Sequence, residues 1–161
     1  MNIVLEGPDG SGKSTLARYL RDTLGRTLIQ GEGPPKYPGE LDERIARMFA
    51  YQNVIFDRHP AISGPIYGAY REHNDADVSP DQLIRFYEED YVFVYCVGND
   101  RLDLHAAASE SDSPEYLAWL EQHHGAIFHD YQIWGLSRAH ITYRIGDPMK
   151  RVLSAVKWML A

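Results

Sequence analysis

Cysteine is nearly absent from this sequence, since Cys96 is the only one among 161 residues. An internal disulfide is therefore impossible, and a zinc site built on cysteines is not expected. Because Cys96 stands in the apolar run 91–97, we interpret it as a packed core thiol rather than a nucleophile.

Long apolar runs are missing as well. No stretch is apolar over the length that a membrane span needs. The first predicted strand begins at residue 2, which leaves no room for a signal peptide. We therefore expect a cytoplasmic protein that has no membrane partner.

Positive charge is scarce, with 16 lysines and arginines against 23 acidic residues and a formal net charge of −7. A general affinity for nucleic acid is not expected, because such binding depends on neutralising phosphates. A local basic patch remains possible. The length suits a single domain spanning residues 1–161.

Residues 7–15 form a glycine-rich stretch with a recognisable spacing. Gly7, Gly12, Lys13 and Ser14 match the phosphate-binding loop pattern G-x-x-x-x-G-K-S/T. The glycines allow backbone N–H groups to turn inward and surround a polyphosphate. The residues predicted to bind the triphosphate are Gly7, Gly10, Ser11, Gly12, Lys13, Ser14 and Thr15.

The sequence on either side of this stretch supports the match. Residues 2–6 predict a buried strand, and residues 14–24 carry apolar side chains at helical spacing. In a loop of this kind the Lys13 amine reaches the β- and γ-phosphates, and the Ser14 hydroxyl is a ligand of Mg²⁺. We therefore predict binding of a nucleoside triphosphate.

Four further apolar runs, at 27–30, 53–57, 92–97 and 140–145, predict strands. Helical patterns lie between them, and such alternation is typical of a parallel sheet. The predicted fold is α/β, a P-loop NTPase three-layer sandwich in which a five-stranded parallel sheet has helices on both faces.

The second half of the chain carries three more local predictions. The polar segment 98–113 is predicted to form a short lid. Pro114 is predicted to begin a helix that continues, with a break near Gly125, to about Leu136. Asp147 is expected to cap the last helix.

Two motifs resemble those of the thymidylate kinases and the related deoxynucleoside kinases. Residues 6–15 are similar to the opening of that family, and Asp57-Arg58 followed by Tyr67-Gly68 resembles its second signature. No guanine-reading N-K-x-D motif is present, which argues against a GTPase. The resemblance implies a kinase that uses ATP and Mg²⁺.

Site roles follow from the chemistry and the resemblance together. Asp57 would bind Mg²⁺ or its waters, and Arg58 would stabilise charge on the transferring or acceptor phosphate. The resemblance implies that Asp9 contacts the 3′-hydroxyl of the acceptor. It also implies that Tyr67 and Tyr70 line the pocket for its base.

The same resemblance concerns two regions later in the chain. It implies that Gly146, Asp147 and Pro148 lie near adenine. Family members hold acceptor phosphate with arginines of the lid, where this chain offers only Arg101. A homodimer would be in keeping with the family. His59 is interpreted as a hydrogen-bonding structural residue rather than a general base.

The second strand ends where the likeness is weaker. Residues 31–34 resemble the family's Arg-Glu-Pro-Gly loop, but Gln30 and Gly31 precede Glu32, so the loop arginine is missing. Glu32 resembles the position of the base in deoxynucleoside kinases. The predicted catalytic residues are Lys13, Asp57, Arg58 and Glu32, and the predicted metal ligands are Ser14 and Asp57.

Three functions remain open at this point. The first is a kinase for the phosphate of a thymidine-type, dTMP-like nucleotide. The second is a kinase for a hydroxyl, either of a deoxynucleoside or of 5-hydroxymethyluracil in DNA, as in compact phage-type relatives of thymidylate kinase. The third is a nucleotide-dependent switch that has no acceptor.

Overall fold

A computed structural model describes residues 1–72, 77–104, 108 and 112–161. The predicted lid therefore falls partly outside the described residues. The described strands are β1 (Asn2–Glu6), β2 (Thr27–Gln30), β3 (Val54–Asp57), β4 (Tyr91–Val97) and β5 (Ile141–Arg144). The described helices are α1 (Lys13–Leu24), α2 (Glu40–Met48), α3 (Pro60–Gly68), α4 (Pro80–Glu88), α5 (Pro114–Arg138) and α6 (Met149–Leu160).

The strands form one parallel sheet in the order β2-β3-β1-β4-β5. Asp57 at the end of β3 is in register with Leu5 of β1 and with Gln30 of β2. All the strands therefore end at the same edge of the sheet, where α/β folds bind ligands. The predicted sheet is confirmed.

Both faces of the sheet are covered, because neighbouring strand residues point to opposite sides. Val4 and Phe56 pack against helices α2 to α5, whereas Ile3, Leu5 and Ile55 pack against α1 and α6. Each of these large side chains, once removed from water, contributes roughly 1.5–3 kcal/mol. The two apolar layers account for the predicted three-layer arrangement.

The predicted break at Gly125 is wrong, because α5 runs without interruption for 25 residues. Gly125 is exposed, and a Cβ there would meet nothing within 4 Å. Its cost of about 1 kcal/mol relative to alanine is outweighed by packing on either side of it. Leu120 and Ile127 are both buried against the sheet.

The predicted cap of the last helix is also wrong. Helix α6 begins at Met149 with Pro148 as its N-cap residue. The Asp147 carboxylate instead accepts the backbone N–H of Arg144 at 3.0 Å, and the Asp147 N–H donates to the Arg144 carbonyl at 2.9 Å. Asp147 therefore closes the turn between β5 and α6.

Within the ranges that the structure covers, no helix combines the length and the apolar character needed to cross a bilayer.

Candidate active site

The glycine-rich loop joins β1 to α1 and is pressed against the neighbouring strands. A Cβ on Gly7 would lie 2.1 Å from the carbonyl oxygen of Cys96, and one on Gly12 would lie 2.8 Å from Cγ1 of Ile145. Gly12 also has φ +76°, a value that favours glycine. The buried Ser11 hydroxyl has no hydrogen-bond partner among the described residues. The loop therefore has the close backbone packing and the polar interior of a phosphate-binding loop.

A lysine and an aspartate face each other beside the loop. The Lys13 Nζ lies 3.3 Å from Oδ1 of Asp57, and the two side chains are only 8% and 5% exposed. Asp57 reaches this place because β3 pairs with β1 and both strands end here. Ser14, the second residue of α1, is exposed, and it lines one cavity together with Lys13 and Asp57.

These residues fit the expected Mg²⁺ ion. The Asp57 carboxylate and the Ser14 hydroxyl supply oxygen atoms, which Mg²⁺ prefers, and phosphates and water supply the others in sites of this kind. The Asp57 Oδ1 atom is buried and has no hydrogen-bond partner in the described ranges. Among the described residues no group of three or more His, Cys, Asp or Glu side chains could hold a metal without such help.

Arg58 follows β3 directly and has φ +74°, a conformation that side-chain-bearing residues rarely adopt. Its Nη1 donates to the Gly7 carbonyl at 2.9 Å and to the Tyr131 hydroxyl at 2.7 Å. Its Nη2 lies 3.3 Å from Oδ1 of Asp9, and the Tyr67 hydroxyl donates to Oδ2 of Asp9 at 2.7 Å. The arginine is thus fixed against the loop.

The protonation of Asp9 follows from this arrangement. Burial raises the pKa of Asp9, but the Arg58 charge and the Tyr67 hydrogen bond outweigh that effect, so the pKa lies below its ordinary value. Asp9 is therefore an ionised carboxylate at neutral pH, and both of its oxygens are engaged.

One cavity of 540 Å³ extends from this cluster towards α2, α3 and the start of α5. Its volume is in the range of small-molecule sites. The uncharged side of the lining includes Leu41, Met48, Pro60, Tyr67 and Tyr116. The charged side chains of the lining are Lys13, Arg44, Arg58 and Arg71 together with Asp9, Glu32, Asp57 and Asp112. Cationic and anionic groups are therefore equal in number.

Glu32 lies on the lining but is tied to α2. Its carboxylate accepts from Nη2 of Arg47 at 2.9 Å, and Oε2 lies 3.6 Å from Nε of Arg44. Arg44 is itself buried and donates to the Gly33 carbonyl at 2.6 Å and to Glu40 at 2.6 Å. These contacts hold the segment after β2 in place and set the position of Glu32.

Two predicted acceptor residues lie away from the cavity. The Tyr70 hydroxyl donates to Asp130 at 2.6 Å, and its ring stacks on His123 with the centroids 5.6 Å apart. Tyr70 is not part of the cavity lining, and neither is Arg101, which is exposed. The structure brings Asp9, Arg58 and Tyr67 together, but it does not place Tyr70 and Arg101 with them.

Gly146, Asp147 and Pro148, predicted to lie near adenine, form the turn between β5 and α6. A smaller cavity of 270 Å³ adjoins this turn and is lined by Val97, Gly98, Asn99, Arg144 and Ile145. The turn is therefore beside a recess, although its three residues do not line it.

Two residues with a part in this site were missed by the sequence analysis. Glu6, which ends β1, is fully buried, and Tyr131 of α5 reaches it with a hydrogen bond of 2.8 Å. Burial raises the pKa of Glu6 to about 7, against the opposing effect of the Arg58 charge. An acid in an otherwise apolar strand was a usable signal for Glu6. Tyr131 lies in a long helical pattern, which contained no signal that would have identified it.

His59 is fully buried beside the site and serves the start of α3. Its Nδ1 accepts the Ala61 N–H at 3.2 Å, and its ring stacks on Phe86 with the centroids 4.4 Å apart. Burial lowers the pKa of His59 to about 3. These contacts support its interpretation as a structural residue.

Comparison with known proteins gives a fold but no family. No protein-family model matches the chain, and no curated protein matches it in sequence. Among solved structures, YorR of Bacillus subtilis in complex with phosphorylated GDP is 22% identical, with 99% of this chain and 95% of that chain covered and a TM-score of 0.72.

Deoxyadenosine kinase of M. mycoides is also similar. Its structure with dCMP and dCDP as products is 18% identical, covers 99% of this chain and 98% of that chain and has a TM-score of 0.58. Its structure with dATP is 17% identical, covers 99% of each chain and has a TM-score of 0.54. The chain therefore has the fold of the P-loop kinases, whose activities must be argued from the site itself.

Proposed function

We propose that this protein is an ATP- and Mg²⁺-dependent kinase that transfers the γ-phosphoryl group to a thymidine-type acceptor. The observation that carries the proposal is the 540 Å³ cavity, whose lining joins Lys13, Ser14 and Asp57 to Asp9, Arg58 and Tyr67. A triphosphate on the loop and an acceptor beside Tyr67 would lie next to each other in one cavity, as phosphoryl transfer requires.

The residues of the candidate site have the following roles in this proposal. The loop amides and the Lys13 amine bind the phosphates, with Ser14 and Asp57 as ligands of the metal. When bound, Mg²⁺ neutralises charge on the phosphate oxygens. The Arg58 guanidinium, already fixed by Asp9 and Gly7, stabilises the charge of the phosphoryl group during transfer without having to move.

The charge balance of the cavity favours a hydroxyl acceptor over a phosphate. A dianionic phosphate needs an excess of cations around it, yet the lining carries cationic and anionic side chains in equal number, with Arg58 paired with Asp9 and Arg44 paired with Glu40 and Glu32. A neutral hydroxyl does not need that excess. We therefore propose a deoxynucleoside-type hydroxyl as the first candidate and the phosphate of a dTMP-like nucleotide as the second.

A hydroxyl acceptor needs a base, and Glu32 suits that role better than Asp9. Arg47 donates to both oxygens of Glu32, at 2.9 and 3.2 Å, but Glu32 is 44% exposed at the cavity. Asp9 is only 20% exposed, both of its oxygens are also engaged, and its pKa is lowered. The acceptor oxygen forms a bond to the γ-phosphorus as the bond to the β–γ bridging oxygen breaks. The hydroxyl proton passes to Glu32, and ADP leaves.

Transfer of label from γ-labelled ATP tests the proposal. The acceptors are thymidine, dTMP and DNA that contains 5-hydroxymethyluracil, with ordinary thymine-containing DNA as the matched control. Label on thymidine or on the modified DNA supports the hydroxyl acceptor, and label on dTMP supports the second candidate. Release of inorganic phosphate with no labelled acceptor contradicts both and favours a nucleotide-dependent switch.

A further inference from the structure

Tyr131 forms hydrogen bonds with two residues of the candidate site, Glu6 and Arg58, which lie in different parts of the fold. It lies in α5 and is fully buried. Its hydroxyl donates to Oε2 of Glu6 at 2.8 Å and accepts from Nη1 of Arg58 at 2.7 Å. One oxygen atom therefore joins the end of β1, the residue after β3 and the middle of a long helix.

The direction of these hydrogen bonds is fixed by Arg58, because a guanidinium can only donate, so the Tyr131 hydroxyl accepts from Arg58 and donates to Glu6. Oε1 of Glu6 accepts the backbone N–H of His59 at 2.6 Å, which leaves Oε2 for Tyr131. The Nη1 atom of Arg58 lies 3.9 Å from Oε2 of Glu6, beyond hydrogen-bond distance. The Tyr131 hydroxyl fills this gap, donating to the carboxylate and accepting from the guanidinium.

The guanidinium of Arg58 has five N–H bonds, and three of them are engaged by described residues. Nη1 uses both of its own on the Gly7 carbonyl and on Tyr131, and Nη2 uses one on Asp9. The other two N–H bonds form no hydrogen bond among the described residues, and Arg58 lines the cavity. Because the guanidinium is planar and rigid, the contacts that hold three of its N–H bonds also set the direction of the other two.

We propose that Tyr131 is a positioning residue for phosphoryl transfer, and that its hydroxyl, oriented by Glu6, holds the Arg58 guanidinium at the angle the reaction needs. This inference rests on the proposed kinase function. It assigns a role in the reaction to a helix that contributes to the cavity only near its start, through Tyr116. It also explains why β1 ends in a buried acid.

A simpler explanation is that the Tyr131 hydroxyl only stabilises the core, and the chain offers a matched control for it. Tyr95 is buried in the same apolar layer, and its hydroxyl has no hydrogen-bond partner within the described ranges. Tyr95→Phe therefore removes a buried hydroxyl from the same layer without touching Arg58. Tyr131→Phe removes a buried hydroxyl together with its contacts to the Arg58 guanidinium and to Glu6, and the Arg58→Ala background separates these two contacts.

The first test is kinetic. Tyr131→Phe should lower kcat by about 10- to 100-fold, because a misaligned donor stabilises the transition state poorly. The KM for ATP should stay within about twofold, since the loop is intact. Tyr95→Phe should change neither. In an Arg58→Ala background, Tyr131→Phe should lower kcat no further. Equal effects of the two tyrosine variants, or a full additional loss in that background, would overturn the proposal.

The second test does not depend on the acceptor. Hydrogen exchange of the Arg58 guanidinium is followed by ¹⁵N NMR, with its signals assigned by their loss in Arg58→Ala. Exchange should become about tenfold faster in Tyr131→Phe, as expected for loss of one buried hydrogen bond, and should not change in Tyr95→Phe. Unchanged exchange in Tyr131→Phe would overturn the inference. Faster exchange in a protein that phosphorylates no acceptor would support the anchoring of Arg58 and contradict the proposed function alone.

Discussion

The two ends of the cavity are built in different ways. The donor end comes mainly from a continuous stretch, residues 7–15, to which β3 adds Asp57. The acceptor end combines side chains from β2, α2, α3 and α5, so that Tyr67 and Tyr116 meet across almost fifty positions of sequence. The proposed phosphate binding thus depends mainly on a local stretch of backbone, whereas the proposed choice of acceptor depends on how the helices pack.

The two ends also differ in how their charges are satisfied. At the donor end Lys13 is paired with Asp57, and in the proposed complex phosphates would take the place of Asp57 at the Lys13 amine. At the acceptor end Arg58 contacts Asp9, Gly7, Tyr131 and the ring of Tyr67, with its Cζ 4.8 Å from the ring centroid. Lys13 can therefore exchange Asp57 for a bound phosphate, while the Arg58 guanidinium is already held in position by its contacts.

The largest effect is expected at the donor end. Lys13→Ala removes the amine that binds the β- and γ-phosphates, and label transfer from ATP should fall by about 10³-fold or more. Lys157→Ala, on the exposed face of α6, is the control and should retain full activity. A Lys13→Ala rate within about tenfold of the original would mean that the loop does not hold the triphosphate as proposed.

A smaller effect, at the acceptor end, distinguishes the two acceptors. Glu32→Gln keeps the shape of the side chain but cannot take a proton, so kcat for a hydroxyl acceptor should fall by about 10²-fold. With a dTMP-like acceptor the loss should be no more than about fivefold, because a phosphate oxygen needs no base.

Glu43→Gln controls for loss of a carboxylate nearby, on α2, the helix to which Glu32 is tied through Arg44 and Arg47. Glu43 accepts a hydrogen bond from Tyr37 and does not line the cavity. It should be active with either acceptor. A Glu32→Gln variant that keeps its full rate on a hydroxyl acceptor would exclude Glu32 as the base.

The smallest effect concerns stability rather than rate. His59 is neutral in the folded protein, with its pKa lowered by burial from 6.5 to about 3. Its contribution to the free energy of unfolding is therefore complete above pH 6.5. That contribution is lost as the pH falls, by up to about 1.4 kcal/mol per pH unit. His59→Asn keeps a side chain that can cap α3 but does not titrate, so its stability relative to the original should improve as the pH falls.

Urea unfolding of the original and the variant from pH 7.5 to pH 4.5 measures this difference. The opposing contribution of Glu6, whose pKa is raised to about 7, is present in both proteins and cancels. The exposed His129 supplies the control variant, His129→Asn. Parallel curves for the original and His59→Asn would show that His59 is not held neutral by burial.

Local pattern was enough to predict the sheet, and it also predicted that the loop residues lie beside Asp57, because both features depend on neighbours in sequence. Gly7 marks a place where backbone approaches backbone, Gly12 one where the backbone approaches the Ile145 side chain, and Lys13 follows from the same spacing. Asp57 could be placed because parallel strands end at one edge of the sheet.

The acceptor end could be predicted only in part. Tyr67 and Tyr70 both follow the second motif, but only Tyr67 faces the cavity, because Tyr70 pairs instead with Asp130 of α5. Tyr131 lies 125 positions from Glu6. A helical pattern does not distinguish a tyrosine that only packs in the core from one whose hydroxyl also forms a hydrogen bond. Such contacts follow from the packing of α5, which local periodicity does not determine.

The most direct test of a shared cavity is the binding of one molecule that occupies both ends. Adenosine and thymidine joined through a chain of phosphates would place one nucleoside at each end. We expect it to bind about 10²-fold more tightly than ATP, measured by calorimetry, and to lose that advantage in Tyr67→Ala while Lys157→Ala retains it. Binding no tighter than ATP, with no effect of Tyr67→Ala, would contradict the account of one cavity joining donor and acceptor.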